Sequence, residues 1–231
     1  MENLVCETYF PTFIYFYDFS NSQELNPQFL STIRAEREKD QQGLERSNFR
    51  RLGGWHSKDH FHTLPAFEKF THKIHQVAAE ISKQLTYDLD WELKISNMWA
   101  IINAPGSLNR AHIHPGHLWS GVYYVQAPPN SGSIEFTDPR TEHLMLTPNL
   151  ATNQPRVRGV WKTVEFQPQP GRMLMFPSWL YHTVHPNMTE ETGDKGERVC
   201  ISFNLVQVKT SKKISKPQKS RSSPNRGFGD A

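Results

Sequence analysis

Arg110-Ala111-His112-Ile113-His114-Pro115-Gly116-His117-Leu118-Trp119-Ser120-Gly121-Val122-Tyr123-Tyr124-Val125 is the stretch on which the reading of this chain turns. Two histidines one residue apart run directly into an apolar, aromatic strand. In an extended segment residues i and i+2 project from the same face. His112 and His114 therefore point at one centre, with Ile113 packed behind them. Two imidazoles on a rigid strand make half of a metal site, and imidazole suits iron, copper, nickel or zinc.

Outward from that stretch the texture is one of short β-prone runs: 91–103, 109–114, 118–126, 133–137, 160–167, 172–176, 181–185 and 198–208. Turn residues punctuate them, among them Ala104-Pro105-Gly106, Pro128-Pro129-Asn130 and Pro168-Gln169-Pro170-Gly171. Short strands separated by turn signals argue for a sandwich or barrel. Upstream, Phe67, Phe70, Ile74, Val77, Ile81 and Leu85 recur every three or four residues, with Thr63 placed to cap the helix and Pro65 in its first turn. A second helix is expected to start at Asn26-Pro27, and residues 8–17 read as an edge strand because of Pro11. The fold expected is mainly β, a jelly roll with N-terminal helices packed outside one sheet. One domain spans residues 1–208, with 1–90 as support and 91–208 as core.

The formal charge of +3 is a property of the tail. Residues 209–231 hold seven Lys/Arg against one Asp, which leaves the body with 19 basic and 22 acidic residues. The basic face needed for nucleic-acid binding is missing from the body, so any such contact is weak and runs through the tail. That tail, rich in Lys, Ser and Pro, is expected to be disordered. Cys6 and Cys200 have no metal-binding spacing, and a disulfide between them is not implied, so a cytoplasmic location is the default. The apolar run from Phe10 to Phe19 is broken by Pro11, Thr12 and Asp18 and is neither a leader nor a membrane span.

A jelly roll brings distant strands together, so the rest of the site is sought downstream. His182 and His185 follow an apolar strand and turn; their odd spacing sends them to opposite faces, and only one reaches the centre. Beyond them Arg198, Cys200, Ser202 and Asn204 share one face, while Val199, Ile201, Phe203 and Leu205 share the other and read as core. An inward Arg198 calls for an anion, and its planar fork suits a carboxylate. The other reading is a structural salt bridge.

Four motifs now stand in order: His112-x-His114, Ser120-Gly121-Val122-Tyr123-Tyr124-Val125, Phe176-Pro177-Ser178-Trp179-Leu180-x-His182-x-Val184-x-Pro186, and Arg198-Val199-x-Ile201-Ser202-Phe203-Asn204. Together they resemble the iron(II)/2-oxoglutarate-dependent oxygenase superfamily, in its bacterial and phage branch, over residues 91–208. The resemblance implies a double-stranded β-helix with Fe(II) at one end, 2-oxoglutarate as co-substrate and O₂ as oxidant. It also implies hydroxylation of a small molecule or a protein side chain, with succinate and CO₂ as co-products. His112 matches the first histidine, His182 the distal one, and Arg198 the residue that pairs with the far carboxylate of 2-oxoglutarate. Ser202 and Tyr124 are helpers in that pocket.

The superfamily usually has a carboxylate where this chain has His114. Either His114 is the third ligand, giving three neutral imidazoles, or it stays out and water or Asp138 completes the set. A three-histidine cupin-type dioxygenase that needs no keto acid, and a non-enzymatic metal-binding jelly roll, are the competing readings. Asp138 reads as a turn residue, and His117 as lining the entrance. Of Trp99, Trp119 and Trp179, at least two read as core packing. Substrate choice is expected from the loops 41–61 and 143–159. The sequence does not set the substrate or the oligomeric state.

Overall fold

The two longest strands, β3 (Trp91–Asn103) and β10 (Arg198–Lys209), pair antiparallel along their whole length, from Arg198 opposite Asn103 to Lys209 opposite Trp91. They form the centre of the molecule in a computed structural model that describes residues 4–40, 42–47, 53–145, 148–155 and 157–210. On the far side of β10 lies β5 (Trp119–Gln126), followed by β8 (Arg172–Pro177) and the edge strand β1 (Tyr15–Asp18). A two-residue β2 (Trp55–His56) closes the opposite edge of this six-stranded sheet. The facing sheet has four strands in the order β4 (Asn109–His112), β9 (His182–Val184), β6 (Ile134–Thr137) and β7 (Thr163–Phe166). Each of the eight segments read as β-prone overlaps with one of these strands, β8 and β10 running one residue further than read.

Alternation along β5 and β10 explains the layering. Past the short α2 (Gly43–Arg46) the chain enters α3 (Glu68–Gln84); Tyr123, Val199, Ile201 and Leu205 face outward onto α3 and α1 (Ser22–Lys39), where Phe29, Ile33, Phe70, Ile74, Ala78 and Ile81 complete a buried core. Val122, Tyr124 and Cys200 face inward and meet Ile134, Phe136, Leu174 and Phe176 between the sheets. Both faces of the large sheet are thus covered, and its strands read as continuous apolar runs. Each such side chain contributes about 1.5–3 kcal/mol when fully buried. Gly121 makes one of these contacts possible: it stands opposite Phe203, and any Cβ there would run into the Phe203 ring.

Local details differ from the expectations. Helix α1 begins at Ser22 and keeps Pro27 inside it. Its first turn closes on the Asn21 carbonyl, and Asn26 accepts a hydrogen bond from the Tyr123 hydroxyl at 2.6 Å instead of capping. Thr63 does not cap α3, because its hydroxyl donates to the His60 carbonyl and a 3₁₀ turn (Pro65–Phe67) precedes the helix. The edge strand is confined to Tyr15–Asp18, at the end of the 8–17 run. Cys6 is exposed and Cys200 buried, both as free thiols. The expectation of a disordered tail falls, beyond Thr210, outside the described residues. Among those described, no helix is long and apolar enough to cross a membrane.

Candidate metal centre

β4 and β9 pair so that His112 stands directly opposite His182. The chain leaves β4, and the backbone N–H of His114 donates to the Ser178 carbonyl at 2.9 Å, which returns the third imidazole to the same point. The ring centroids lie 4.3 Å apart for His112 and His182, 5.0 Å for His112 and His114, and 5.2 Å for His114 and His182. One ligand nitrogen from each falls within 4.8 Å of the other two. Strand pairing thus brings together residues seventy positions apart in the sequence.

The outer nitrogens are committed. His112 Nδ1 donates to the Arg110 carbonyl at 2.6 Å, and His182 Nδ1 donates to the Leu180 carbonyl at 2.9 Å. This leaves Nε2 as the lone-pair atom of both rings, the arrangement by which metal-binding histidines are held. Phe176 and Phe136 wall His182, with ring centroids at 4.8 and 5.9 Å. Burial, reinforced by the charges of His182 and His112, pushes the His114 imidazole down to about 3. Burial takes His182 down to about 4, against the contrary pull of its bond to Leu180. Both rings are therefore neutral near pH 7, the state in which imidazole ligates. The donor set fits a first-row cation.

A cavity of about 320 Å³ opens from this cluster between the sheets, lined by His112, His114, His182, Tyr124, Arg198 and Ser202 among others. All six residues singled out from the sequence line it. Arg198 sits at its buried end, 2 % exposed. Its Nη1 donates to the carbonyls of Ser131, Gly132 (3.1 Å) and His185 (3.2 Å), whereas Nη2 is buried with no hydrogen-bond partner. No described carboxylate approaches it, so the salt-bridge reading does not hold. A buried guanidinium with one arm unsatisfied is costly unless an anion meets it, and a carboxylate fits that vacancy. The close approach of the 131–132 backbone depends on Gly132, at φ +87°, where a Cβ would strike the carbonyls of His185 and Pro186. Burial pushes the Cys200 thiol up to about 11 and raises the Tyr124 hydroxyl as well, so neither carries charge in the cavity.

The remaining candidates are elsewhere. The Asp138 carboxylate accepts from Arg140, at 2.9 Å to Nε and 2.7 Å to Nη2, in a turn, and does not line the cavity. His117 lies outside the lining but near enough for its charge to lower His114. His185 faces away, as its odd spacing requires, beside Glu135 and Glu165 on the outer face of the small sheet. Trp119 is core, its Nε1 donating to the Tyr87 hydroxyl. Trp99 is both buried and part of the cavity wall, while Trp179 is half exposed and takes neither role. The loop 41–61 supplies His56 to the wall, stacked on Trp99 at 5.7 Å. No described residue of 143–159 reaches the cavity.

Sequence reading missed His56, Asn103, Asn109 and Arg110. Asn109 and Arg110 reach the cavity through an irregularity in β4 between Asn109 and His112, where the register shifts and all four residues 109–112 line it; His56 had no local signal beyond its loop.

Residues 97–204 match the model of a family described as "Putative 2OG-Fe(II) oxygenase". No curated protein matches the chain in sequence. Several solved structures share the fold. A Pseudomonas putida prolyl-4-hydroxylase aligns with a TM-score of 0.54 at 14% identity, over 84% of this chain and 92% of that one. The epimerase SnoN in complex with Fe3+, alpha ketoglutarate and nogalamycin RO aligns at 0.58 and 12% identity, over 95% and 92%. HygX from Streptomyces hygroscopicus with nickel and 2-oxoglutarate bound aligns at 0.51 and 14% identity, over 84% and 83%. At these identities the likeness is one of fold, the double-stranded β-helix.

Proposed function

From the match of residues 97–204 to the 2OG-Fe(II) oxygenase family model and the three-histidine cluster beside Arg198, we propose that this chain is an Fe(II)- and 2-oxoglutarate-dependent dioxygenase that hydroxylates its substrate. His112, His114 and His182 hold the iron, and Arg198 holds the distal carboxylate of 2-oxoglutarate. With the metal, keto acid and O₂ bound, the chemistry supplied is oxidative decarboxylation to succinate and CO₂ coupled to oxidation of a substrate C–H bond.

The chain's own residues then have separate tasks. The carbonyls of Arg110 and Leu180 orient the His112 and His182 imidazoles through their Nδ1–H groups. The carbonyls of Ser131, Gly132 and His185 hold the Arg198 fork in one direction, with its free arm left for the keto acid. Tyr124 and Ser202 line the same cavity and offer hydroxyls to that carboxylate. Phe136 and Phe176 exclude water behind His182, which strengthens every charge interaction in front of it. Three imidazoles bring no negative charge, so more of the metal's charge is left for the keto acid than in a site with a carboxylate ligand.

The observation that carries this reading is the unpartnered Nη2 of a fully buried Arg198 in the cavity that holds the three histidines. In a cupin-type dioxygenase the same arm of Arg198 would hold the substrate itself, and turnover with no 2-oxoglutarate present would distinguish that reading. Anaerobic titration of the Fe(II)-loaded protein with 2-oxoglutarate tests it. A metal-to-ligand absorption band is expected, weakened at least tenfold in apparent affinity by Arg198→Gln with iron content unchanged. No band in iron-replete protein overturns the proposal.

A further inference from the structure

The cavity lining has one sign of charge. Two guanidiniums border it, Arg198 at the buried end and Arg110 at the exposed rim, and among the described residues no Asp or Glu does. Resting on the function proposed above, the charges can be counted. A divalent cation and two guanidiniums give four positive charges, and the three imidazoles and His56 add none, burial holding His56 below its ordinary range. A keto acid returns two negative charges. Two positive charges remain, one of them at the rim, and a cavity lined by one sign of charge draws in an anion.

Arg198 is spoken for by the keto acid, which leaves Arg110. It follows Asn109 on β4 and precedes His112 by two residues, so the strand that orients the metal cluster also presents this cation at the entrance. The wall beside His114 offers a further donor: Trp99, only 8 % exposed, has its Nε1 buried with no hydrogen-bond partner. A cation and an unpaired N–H on one cavity both ask for an acceptor, preferably a charged one. At about 320 Å³, with the keto acid to be accommodated as well, the space favours a compact group.

We propose that the substrate is a small carboxylate, an organic acid whose anion docks on Arg110 at the cavity rim while its reacting carbon faces the histidine cluster. The specificity-determining residue is Arg110, and Trp99 is the supporting donor.

The probes are N-acetyl amino acids, each as the free acid and as the matching primary amide, so that charge is the main difference within a pair. Binding is read by saturation-transfer NMR on Zn(II)-loaded protein with 2-oxoglutarate, independent of turnover. At least one acid is expected to bind roughly tenfold or more tightly than its amide, the discrimination a charged hydrogen bond gives. Arg110→Gln is expected to remove that preference without a change in melting temperature. Equal binding of acids and amides, a preference that survives Arg110→Gln, or no binding by either series overturns the proposal. O-Phosphorylated N-acetylserine amide serves as the phosphate arm, and tighter binding of it than of any carboxylate also overturns the assignment. If the 2-oxoglutarate absorption band is absent, the fault lies with the function proposed above; if the band forms and these outcomes fail, it lies with Arg110.

Discussion

The His114 backbone N–H donates to the Ser178 carbonyl at 2.9 Å, and the Ser178 hydroxyl lies 2.8 Å from that of Ser120. Ser120 in turn donates to Asn204 Oδ1 at 2.7 Å, and Asn204 Nδ2 donates to Asn97 at 3.0 Å. Four segments remote in sequence meet in this chain, of which Ser178, Ser120 and Asn204 are buried, and the His114 imidazole hangs from one end of it.

Asn204→Ala cuts the chain in the middle and takes from the buried Ser120 hydroxyl its acceptor. Buried polar groups left unsatisfied cost about 1–3 kcal/mol. Urea unfolding is expected to show a loss of that size, together with weaker metal binding, because Ser178 is no longer held. An unchanged unfolding midpoint would show that the network contributes nothing.

The depressed imidazoles set a pH dependence. His114 and His182 have an ordinary value of 6.5 and are held at about 3 and about 4 in the folded chain. Between these values the unfolded chain binds more protons, so stability rises with pH. The contribution is present in full above 6.5 and is lost as pH falls toward 4 and then 3. Metal-free protein is expected to unfold at lower urea at pH 5 than at pH 7.5, with a smaller difference in His182→Gln. A flat or reversed profile would contradict the burial of these rings.

Metal binding is expected to raise stability by mass action, about 2.7 kcal/mol at a hundredfold excess over Kd. Zn(II) or anaerobic Fe(II) should raise the melting temperature of the wild type. His112→Ala and His182→Ala should abolish the shift, and Asp138→Asn should retain it, since that carboxylate is occupied by Arg140. Loss of the shift in Asp138→Asn would return that residue to the ligand set.

Gly132→Ala is expected to disturb the keto-acid end while sparing the metal end. The new Cβ meets two carbonyls and the Arg198 guanidinium at a backbone φ of +87°, which costs about 1–2 kcal/mol in conformation alone. The expected readout is a lower 2-oxoglutarate affinity with near-normal Zn(II) binding by calorimetry. Equal losses at both ends would mean the turn acts on the whole fold.

Gly121→Ala tests the packing of β5 on β10. Its Cβ would enter the Phe203 ring, and overpacking of this kind costs about 1–3 kcal/mol. The double variant Gly121→Ala with Phe203→Leu is expected to recover part of that loss in urea unfolding, because the smaller side chain frees the space.

The strand texture of residues 91–208 was legible because each strand is short, alternating and bounded by Pro, Gly or Asn, all of them local properties. The same parity argument correctly sent His182 and His185 to opposite faces. The start of α1 was read late, since Pro27 looks like a boundary locally but is tolerated inside a helix anchored to β5 through Asn26 and Tyr123. His56 and Trp99 were not legible as neighbours, because their stacking depends on an edge pairing of only two residues.

What the sequence determined by itself was the alternation that makes two sheets and the chemistry of the side chains available to them: imidazoles on one strand and one after a distant turn, and a guanidinium opening a third. What tertiary structure decided was convergence. The register that sets His112 opposite His182, the Ser178 carbonyl that recovers His114, and the three carbonyls that leave one arm of Arg198 unpaired are all non-local. Strand register and loop closure depend on contacts between segments tens of residues apart, and no local window of the chain contains them.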